Sequence, residues 1–385
     1  MKKLIAIAVV FALVAGAAFA ETSVSGSISV RARLLQDTIS DAKDTANSNG
    51  EVETAYIQLQ GQNDEGTFGA LARLRGNDGA GKFHRAFAWW KPIPQLNIFF
   101  GQDPDGKFGP YNAWSFYQGQ ESHSHDHDWG AWRAAFPGNW DSFGFAISIY
   151  PVQGLEFNIV APIGGVGRGP ALASWEAAYG NKNTEDLFLG SLQLAAVYAI
   201  PDIGKVFLNI LGPGENIFDD DKNAHYGQFG LSFLLTAVEG FDAHLGFSTY
   251  LPGEVDDHPL YLSLIANFNS GDFGLRFRSR FAINAKWGDE YAGYANVYGE
   301  DAMEIGADIQ PYYNLGVVKA FLNIGFISDK VSKDADPVNQ FILNPYIRKS
   351  MGPGDIRIGL LIKDPDLDTD KDARISIPVQ FTYSF

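Results

Sequence analysis

A short segment with alternating histidines and aspartates contains the residue types of a metal site. It reads HSHDHD over residues 123–128, which puts His123, His125 and His127 at every second position. Imidazole nitrogens at such spacing can bind zinc, copper or nickel. In an extended strand, however, side chains two residues apart are separated by about 7 Å, so the segment must bend to bring two of them to one ion. A solvated polar loop is the alternative interpretation.

A second segment, DPDLDTDKD over residues 364–372, offers the oxygen ligands that a hard cation such as calcium prefers. Its aspartates, including Asp364, Asp366 and Asp368, occupy every second position. The segment does not match an EF-hand loop, because the sixth position of that loop requires glycine and here it is Thr369. Calcium binding and a solvated acidic loop both stay open, and no cofactor is predicted to be required.

The motifs of common enzymes are absent from the sequence. It contains no nucleophile elbow, no phosphate-binding glycine loop and no HExxH. The formal net charge of −16 argues against nucleic acid as a partner. No cysteine is present, so no disulfide framework supports the fold. We therefore expect neither an enzyme nor a nucleic-acid-binding protein.

Arginines alternate with apolar residues in several segments. In GLRFRSRFAIN (274–284), Arg276, Arg278 and Arg280 alternate with leucine and phenylalanine. A helix, with its period of 3.6, cannot sort these residues onto two faces, whereas a β-strand does so by its period of two. A strand with one apolar and one polar face fits the wall of a transmembrane barrel, in which alternate residues face lipid and water.

Residues 1–20 have the organisation of a secretory signal peptide. Lys2 and Lys3 precede a short apolar stretch, which closes with Ala18-Phe19-Ala20 as an A-x-A cleavage site. The stretch is short for a membrane span. We expect export, with residues 21–385 forming a single barrel domain.

Strand-like segments recur along the chain, and the connections between them are of two kinds. Short ones, such as NDEG (63–66) and GPGD (352–355), alternate with longer and mostly acidic ones, such as 103–142. This pattern predicts an all-β, antiparallel up-and-down transmembrane barrel with short periplasmic turns, long extracellular loops and about 18 strands. The count could lie between roughly 16 and 20, because 128–137 and 171–180 could form a further pair. The strands are predicted to begin near residues 23, 51, 67, 85, 95, 143, 155, 187, 204, 224, 241, 259, 272, 303, 318, 340, 354 and 374.

The segment ISIPVQFTYSF (375–385) resembles the C-terminal signal of bacterial outer-membrane proteins. It ends on Phe385, with Tyr383 and Phe381 at alternate positions before it. The resemblance implies that the barrel assembly machinery binds this strand. Because a strand in lipid cannot leave its backbone groups unpaired, we expect it to pair with the first strand, SVSGSISVRARL. The layout also resembles general-diffusion porins, and AFAWWKPIPQLNIFFG (86–101) resembles the porin-like proteins of spirochaetes.

The porin resemblance implies a location in the outer membrane of a Gram-negative-type bacterium, among outer-membrane lipids, and assembly as a homotrimer. It also implies a basic lumen wall that faces an acidic, inward-folded loop. Charges in the lumen set the selectivity of a pore, although these residues could also only solvate the interior. The predicted pore-lining residues are Arg31, Arg33, Arg73, Arg75, Arg276, Arg278, Arg280, Arg357, Lys363 and Arg374.

The longest connection, 103–142, follows the fifth predicted strand, which is the position of the constriction loop in general porins. An exposed loop seldom carries so many large rings, so we expect this one to pack against the lumen wall. A stacking surface for sugars is the alternative. The residues assigned to the constriction are Asp103, Asp105, Trp114, Glu121, Asp126, Asp128, Trp129 and Trp132.

The predicted function is passive diffusion of small hydrophilic solutes or ions through a water-filled channel. A solute-selective porin, most plausibly for carbohydrates, is the first alternative. A surface adhesin built on a barrel, with the acidic loops as its binding surface, is the second.

Overall fold

The structure is a computed structural model that describes residues 21–38, 49–77, 80–102, 143–164, 192–211, 228–250, 260–284, 303–330, 336–364 and 374–385. The segments 103–142, 171–180 and 365–373 lie outside these ranges. Within the described ranges, no helix has the length and apolar character needed to cross a membrane.

The described residues form nineteen strand segments, which join into one antiparallel sheet. In chain order they are β1 (Glu21–Thr38), β2 (Asn49–Gln62), β3 (Phe68–Asn77), β4 (Ala80–Ile93), β5 (Leu96–Gln102), β6 (Phe143–Val152), β7 (Leu155–Gly164), β8 (Gln193–Ile200), β9 (Gly204–Leu211), β10 (Gln228–Val238), β11 (Phe241–Tyr250), β12 (Leu260–Ser270), β13 (Phe273–Ile283), β14 (Met303–Asn314), β15 (Lys319–Lys330), β16 (Val338–Met351), β17 (Gly354–Gly359), β18 (Leu361–Asp364) and β19 (Arg374–Ser384).

The sheet closes into a barrel, because β1 pairs with β2 on one side and with β19 on the other. The segments β17 and β18 are two parts of one barrel strand, since both lie between β16 and β19. Only Leu360 separates them, and its N–H still donates to the carbonyl of Pro345 at 2.9 Å. The barrel therefore has eighteen strands, and both the predicted fold class and the predicted count are confirmed.

Most strands begin within a few residues of the predicted positions. The largest differences are β8, which begins at Gln193 instead of 187, and β4, which begins at Ala80 instead of 85. In the sequence, β4 is recognised by an apolar run that begins near residue 85. In the structure, β4 already pairs with β3 from Ala80, which lies opposite Asn77. The residues between Ala80 and the apolar run show no clear alternation, so only the backbone pairing reveals where β4 begins.

The two faces of the closed sheet differ in chemistry. Large apolar side chains are exposed at alternate positions and form the outer face, as Val24 does at 61%, and Phe381 and Tyr383 do on β19. Side chains of the opposite parity face inward and include many buried polar groups. The polar residues buried on this inner face include Ser148, Asn158, Asn209, Ser232, His244, Ser263, Arg278, Glu304, Asp308, Gln310, Asn323, Asn344, Asp355 and Ser376.

Parts of the inner face are apolar. On β4 to β7 a cluster surrounds Phe87, whose ring centroid lies 6.1 Å from that of Trp89 and 6.2 Å from that of Phe99. Ala146 and Val160 complete this buried cluster. A second cluster joins β12, β15, β16 and β18 through Ile265, Ile327, Ile342 and Leu361. The inner wall is therefore asymmetric, with separate apolar and charged sectors.

The seam of the barrel ends at Phe385. Its N–H donates to the carbonyl of Gly26 at 2.9 Å, and the N–H of Gly26 donates back at 2.8 Å. The ring of Phe385 lies over Gly26, where an added Cβ would come within 2.5 Å of the ring. A side chain at position 26 would therefore displace the aromatic ring that covers the end of the seam.

We predict that deleting Phe385 sharply lowers the fraction of folded barrel, because the N–H and C=O of Gly26 lose their partners in lipid, at a cost of several kcal/mol. The measurement is heat-modifiable mobility after refolding of the purified chain into lipid vesicles without assembly proteins, alongside the yield in cells. Phe385→Tyr is the control and should refold normally. Gly26→Val should fail in vesicles as well, and normal refolding of both the deletion and Gly26→Val would refute this account of the seam.

Candidate functional site: the basic inner wall

An ion pair fixes the middle of the charged sector of the wall. Arg278 on β13 lies directly opposite Asp308 on β14. The Nε of Arg278 donates to Oδ1 of Asp308 at 2.7 Å, and Nη2 donates to Oδ2. The side chains are only 9% and 2% exposed. Because removing charges from water is expensive, a two-pronged pair with this geometry is the form in which two charges can be buried here.

Arg276 lies two residues from Arg278 on the same face, yet its surroundings differ. Its Nη1 donates to Oε1 of Gln310 at 3.2 Å, and its guanidinium lies 5.1 Å from the centroid of the Tyr312 ring. Among the described residues, Arg276 has no carboxylate partner. Asp242, which accepts a hydrogen bond from Asn267, acts on Arg276 only at longer range, so the positive charge of Arg276 is partly compensated.

A second group of charges lies beside the short turn between β16 and β17. Arg348 and Arg357 are direct cross-strand partners. Both donate to Asp355: Nη2 of Arg348 to Oδ2 at 3.2 Å, and Nε of Arg357 to Oδ1 at 2.9 Å. One carboxylate thus holds two guanidinium groups, and the trio carries a net positive charge.

The register extends this group into a basic row that crosses the seam of the barrel. Arg348 lies opposite Lys319 on β15, and Arg357 lies opposite Gln380 on β19. Gln380 in turn lies opposite Arg31 on β1. The row therefore contains Lys319, Arg348, Arg357, Gln380 and Arg31, and joins strands from both ends of the chain.

Further basic residues lie opposite one another elsewhere in the sheet. Arg73 lies opposite Arg85, Arg75 opposite Lys82, and Lys363 opposite Arg374. Arg73 donates from Nε to Oε1 of Gln58 at 2.9 Å and lies 4.6 Å from the ring centroid of Tyr56. Like charges directly opposite one another destabilise a sheet, so a repeated arrangement of this kind needs a reason other than stability.

Three aromatic rings separate the basic row from Arg276 and Gln310. The rings of Phe321 and Tyr346 are stacked, with centroids 4.5 Å apart and planes 4° apart. The Tyr312 ring is 5.3 Å from that of Phe321 and covers Gly274, where an added Cβ would come within 2.0 Å of the ring. Arg276, Arg357 and Arg278 all lie within electrostatic range of the Tyr346 hydroxyl, as does Asp308.

A row of amides continues from Arg276 along the register. Asn267 lies opposite Arg276 and donates from Nδ2 to Oδ1 of Asp242 at 2.8 Å. On the other side, Arg276 lies opposite Gln310, and Asn323 lies opposite Asn344 on the next strands. Asn323 is completely buried, and among the described residues its amide makes no hydrogen bond. The wall thus has amide, aromatic and basic rows in succession.

The structure describes the side chains of four predicted pore-lining residues, and Arg73, Arg276, Arg278 and Arg357 all face inward. For Arg31, Arg33, Arg75, Arg280, Lys363 and Arg374 it gives strand and register only. Arg33 lies opposite Pro378, and Arg280 opposite Ser263. That any of these ten residues lines a pore stays a prediction.

The predicted constriction residues, from Asp103 to Trp132, lie outside the described residues. The strands that flank this segment are adjacent, with Gln102 opposite Phe143. His123, His125, His127, Asp366 and Asp368 also lie outside, and Asp364 is the final residue of β18. Where side chains are described, no group of three or more histidine, aspartate or glutamate residues is close enough to hold a metal ion. Both metal sites stay predictions.

Sequence reasoning missed several members of the wall: Lys319, Arg348, Asp308, Asp355 and Tyr346. The alternation in NPYIRKS (344–350) places Asn344, Tyr346 and Arg348 on one face and could have identified Arg348 as an inward cation. The sharing of Asp355 by two arginines had no such signal, because it depends on the register of β16 against β17.

Comparison with solved structures identifies the fold. OccK11 (OpdR) of Pseudomonas aeruginosa is 12% identical, with a TM-score of 0.56 over 94% of this chain and 96% of that one. OccAB4 of Acinetobacter baumannii is 9% identical, with a TM-score of 0.55 over 95% and 99% of the two chains. The anion-selective porin from Comamonas acidovorans is 12% identical, with a TM-score of 0.54 over 95% and 99%. No protein-family model and no curated protein matches the chain. The fold is that of outer-membrane porins and channels.

We predict that Asp308→Ala lowers the free energy of unfolding by about 3–5 kcal/mol, because it leaves Arg278 buried without its partner. Denaturant unfolding of the refolded barrel in detergent, followed by tryptophan fluorescence, measures the change. The double variant Arg278→Met with Asp308→Leu should be close to the unmodified protein, since it removes both charges. A single variant as stable as the unmodified protein would mean that the pair does not hold the wall.

Proposed function

We propose that this barrel is an outer-membrane porin through which small hydrophilic solutes diffuse passively, with a preference for anions. An eighteen-stranded barrel is wide enough to leave an aqueous channel. Its outer face is apolar at alternate positions, as a lipid-facing wall requires. Passive diffusion needs no catalytic group and no cofactor. Export by residues 1–20, recognition of the Phe385 strand by the assembly machinery and assembly as a homotrimer belong to the same proposal.

The observation that carries the anion preference is the set of like-charged pairs across neighbouring strands. Arg348 and Arg357 share one carboxylate, and Arg276 donates to the neutral amide of Gln310 and forms no ion pair with a described residue. Placing cations directly opposite one another costs stability, and the cost is offset if passing anions interact with them. Rings of basic side chains are the usual means by which a pore selects anions.

The acidic character of the whole chain acts in the opposite direction, because a net charge of −16 attracts cations to the mouths. At an ionic strength of about 0.15 M the Debye length is roughly 8 Å, so charges on the loops are screened from an ion deep in the channel. Charges on the wall lie close to that ion, and the low-dielectric barrel focuses their field. The wall therefore dominates at this salt concentration, and dilution increases the influence of the acidic mouths.

Selectivity for carbohydrates is the alternative, and it depends on the predicted stacking surface in residues 103–142, which lie outside the described residues. The amides of Gln310, Asn323 and Asn344 lie on the inner wall but are buried, so they add no sugar-binding surface to this alternative. Block of the current by a neutral sugar such as maltose would support this candidate over general diffusion. The adhesin alternative depends on the acidic loops, which lie outside the described residues, and stays a prediction.

We predict that replacing Arg348 and Arg357 together by Gln shifts the selectivity toward cations, because Asp355 is then left unpaired on the wall. The reversal potential in a KCl gradient, with the dilute side at about 0.15 M, measures the shift in planar bilayers. Lys349→Gln is the matched control, since Lys349 is exposed on the outward face of the same strand. An unchanged reversal potential in the double variant would show that Arg348 and Arg357 do not control the ion selectivity. Absence of any conductance in the unmodified protein would exclude a channel.

We also predict that excising residues 111–135 raises the single-channel conductance, because the proposed constriction segment is shortened while its ends still leave adjacent strands. Heat-modifiable mobility provides the control that the shortened chain still folds. A folded variant with unchanged conductance would show that this segment does not narrow the channel.

A further inference from the structure

We propose that the inner wall of β13 to β17 contains a binding site for a dianionic oxyanion of the phosphate type, formed by Arg276, Lys319, Arg348 and Arg357 around Tyr312. The site rests on the proposed channel function and deepens it by naming a class of solute. It lies on the wall near the ends of the strands that are joined by short turns, such as the turn between β16 and β17.

The first argument is that three of these cations have unused donors. Among the described residues, Arg357 donates from Nε to Asp355, and Arg276 donates from Nη1 to Gln310, and neither side chain makes a further hydrogen bond. The side chain of Lys319 makes no hydrogen bond or ion pair to a described residue and contacts the Tyr312 ring. Guanidinium and ammonium groups carry several donors each, so these three side chains keep donors that no described residue occupies.

The second argument is that these cations converge. The Arg276 guanidinium lies 5.1 Å and the Lys319 Nζ lies 5.5 Å from the centroid of the same Tyr312 ring. Arg276 is repelled by both Arg278 and Arg357, so it lies within electrostatic range of the basic row. Arg348 connects the two sides, because it lies opposite Lys319 on one strand and opposite Arg357 on the other.

The third argument is the balance of charge. Arg278 is neutralised by Asp308, and this pair is buried. The four remaining cations face two carboxylates: Asp355, which Arg348 and Arg357 share, and Asp242, which acts on Arg276 at longer range without an ion pair. Arg357 is 16% exposed and Arg348 27%, so both are reachable but partly removed from water. Partly desolvated cations in such excess favour a ligand with more than one negative charge.

The arrangement also distinguishes an oxyanion from a halide. Donors that approach from four strands, β13, β15, β16 and β17, can bind different oxygens of one tetrahedral group. The planar guanidinium matches the geometry of phosphate oxygens, whereas a spherical chloride gains little from it. We therefore expect inorganic phosphate to reside at this site long enough to interrupt the current that chloride carries.

The test uses the full-length barrel in planar bilayers in KCl, with inorganic phosphate added at about pH 8, where it is dianionic. We expect phosphate to block the chloride current in a saturable way. Arg276→Gln and Lys319→Gln should each raise the half-blocking phosphate concentration by about tenfold, because each removes one charged donor. Lys349→Gln, on the outward face, and Lys205→Gln, at the turn end of β9, are charge-matched controls that should leave the block unchanged.

A change of pH separates a dianion site from general attraction to basic residues. Lowering the pH to about 5 converts phosphate to its monoanion and leaves lysine and arginine charged, so the block by phosphate should weaken. Sulfate stays dianionic over this range and should block equally at both pH values. Equal block by phosphate at both pH values, or an equal effect of the control variants, would overturn the proposal.

The outcomes also separate this proposal from the channel itself. A barrel that conducts chloride but shows no saturable phosphate block retains the channel function and excludes the site. A barrel that conducts nothing excludes the channel, and the site is then tested by titration calorimetry of phosphate into the detergent-solubilised protein. Absence of binding heat there, or binding that Arg276→Gln does not weaken, would exclude the site on its own.

Discussion

The structure depends on one constraint: each strand must have its backbone N–H and C=O groups paired, because an open sheet edge leaves them without partners and, in the proposed membrane location, lipid provides none. The sheet meets this requirement by closing, and β1 is therefore paired on both sides. The final link is the reciprocal pair between Gly26 and Phe385. The absence of a side chain at Gly26 lets the Phe385 ring lie over the seam, so the same two residues complete the hydrogen bonding and shield it.

Closure also determines which charges meet. Arg31 and Arg357 are far apart in the chain, yet both lie opposite Gln380 because the first and last strands are neighbours. The strand period of two directs every second residue inward, so arginines at 276 and 278 share a face. Their environments still differ: Arg278 has the buried carboxylate of Asp308, and Arg276 has a neutral amide and an aromatic ring.

The inner wall is divided into sectors with different physical properties. The cluster around Phe87 makes one sector apolar, while β13 to β17 present rows of amides, rings and cations. In the register, the stacked rings of Phe321 and Tyr346 lie between the row of Arg276 and the basic row, while Arg276 and Lys319 both approach the neighbouring Tyr312 ring. The densest group of cations lies on β13 to β17, and this concentration is the physical basis for both the proposed anion preference and the proposed oxyanion site.

The sequence by itself predicted the barrel, a count of about eighteen strands and the inward side of Arg276, Arg278 and Arg357, because period-two alternation is a local property of neighbouring residues. It also indicated that Phe385 completes the barrel. Only the tertiary structure decided which strand faces which at what register, and therefore that Asp308 neutralises Arg278, that Asp355 is shared by Arg348 and Arg357, and that Arg276 forms no ion pair with a described residue. A slip of two residues would exchange these partners while the same residues still faced inward, so no local pattern could have specified them.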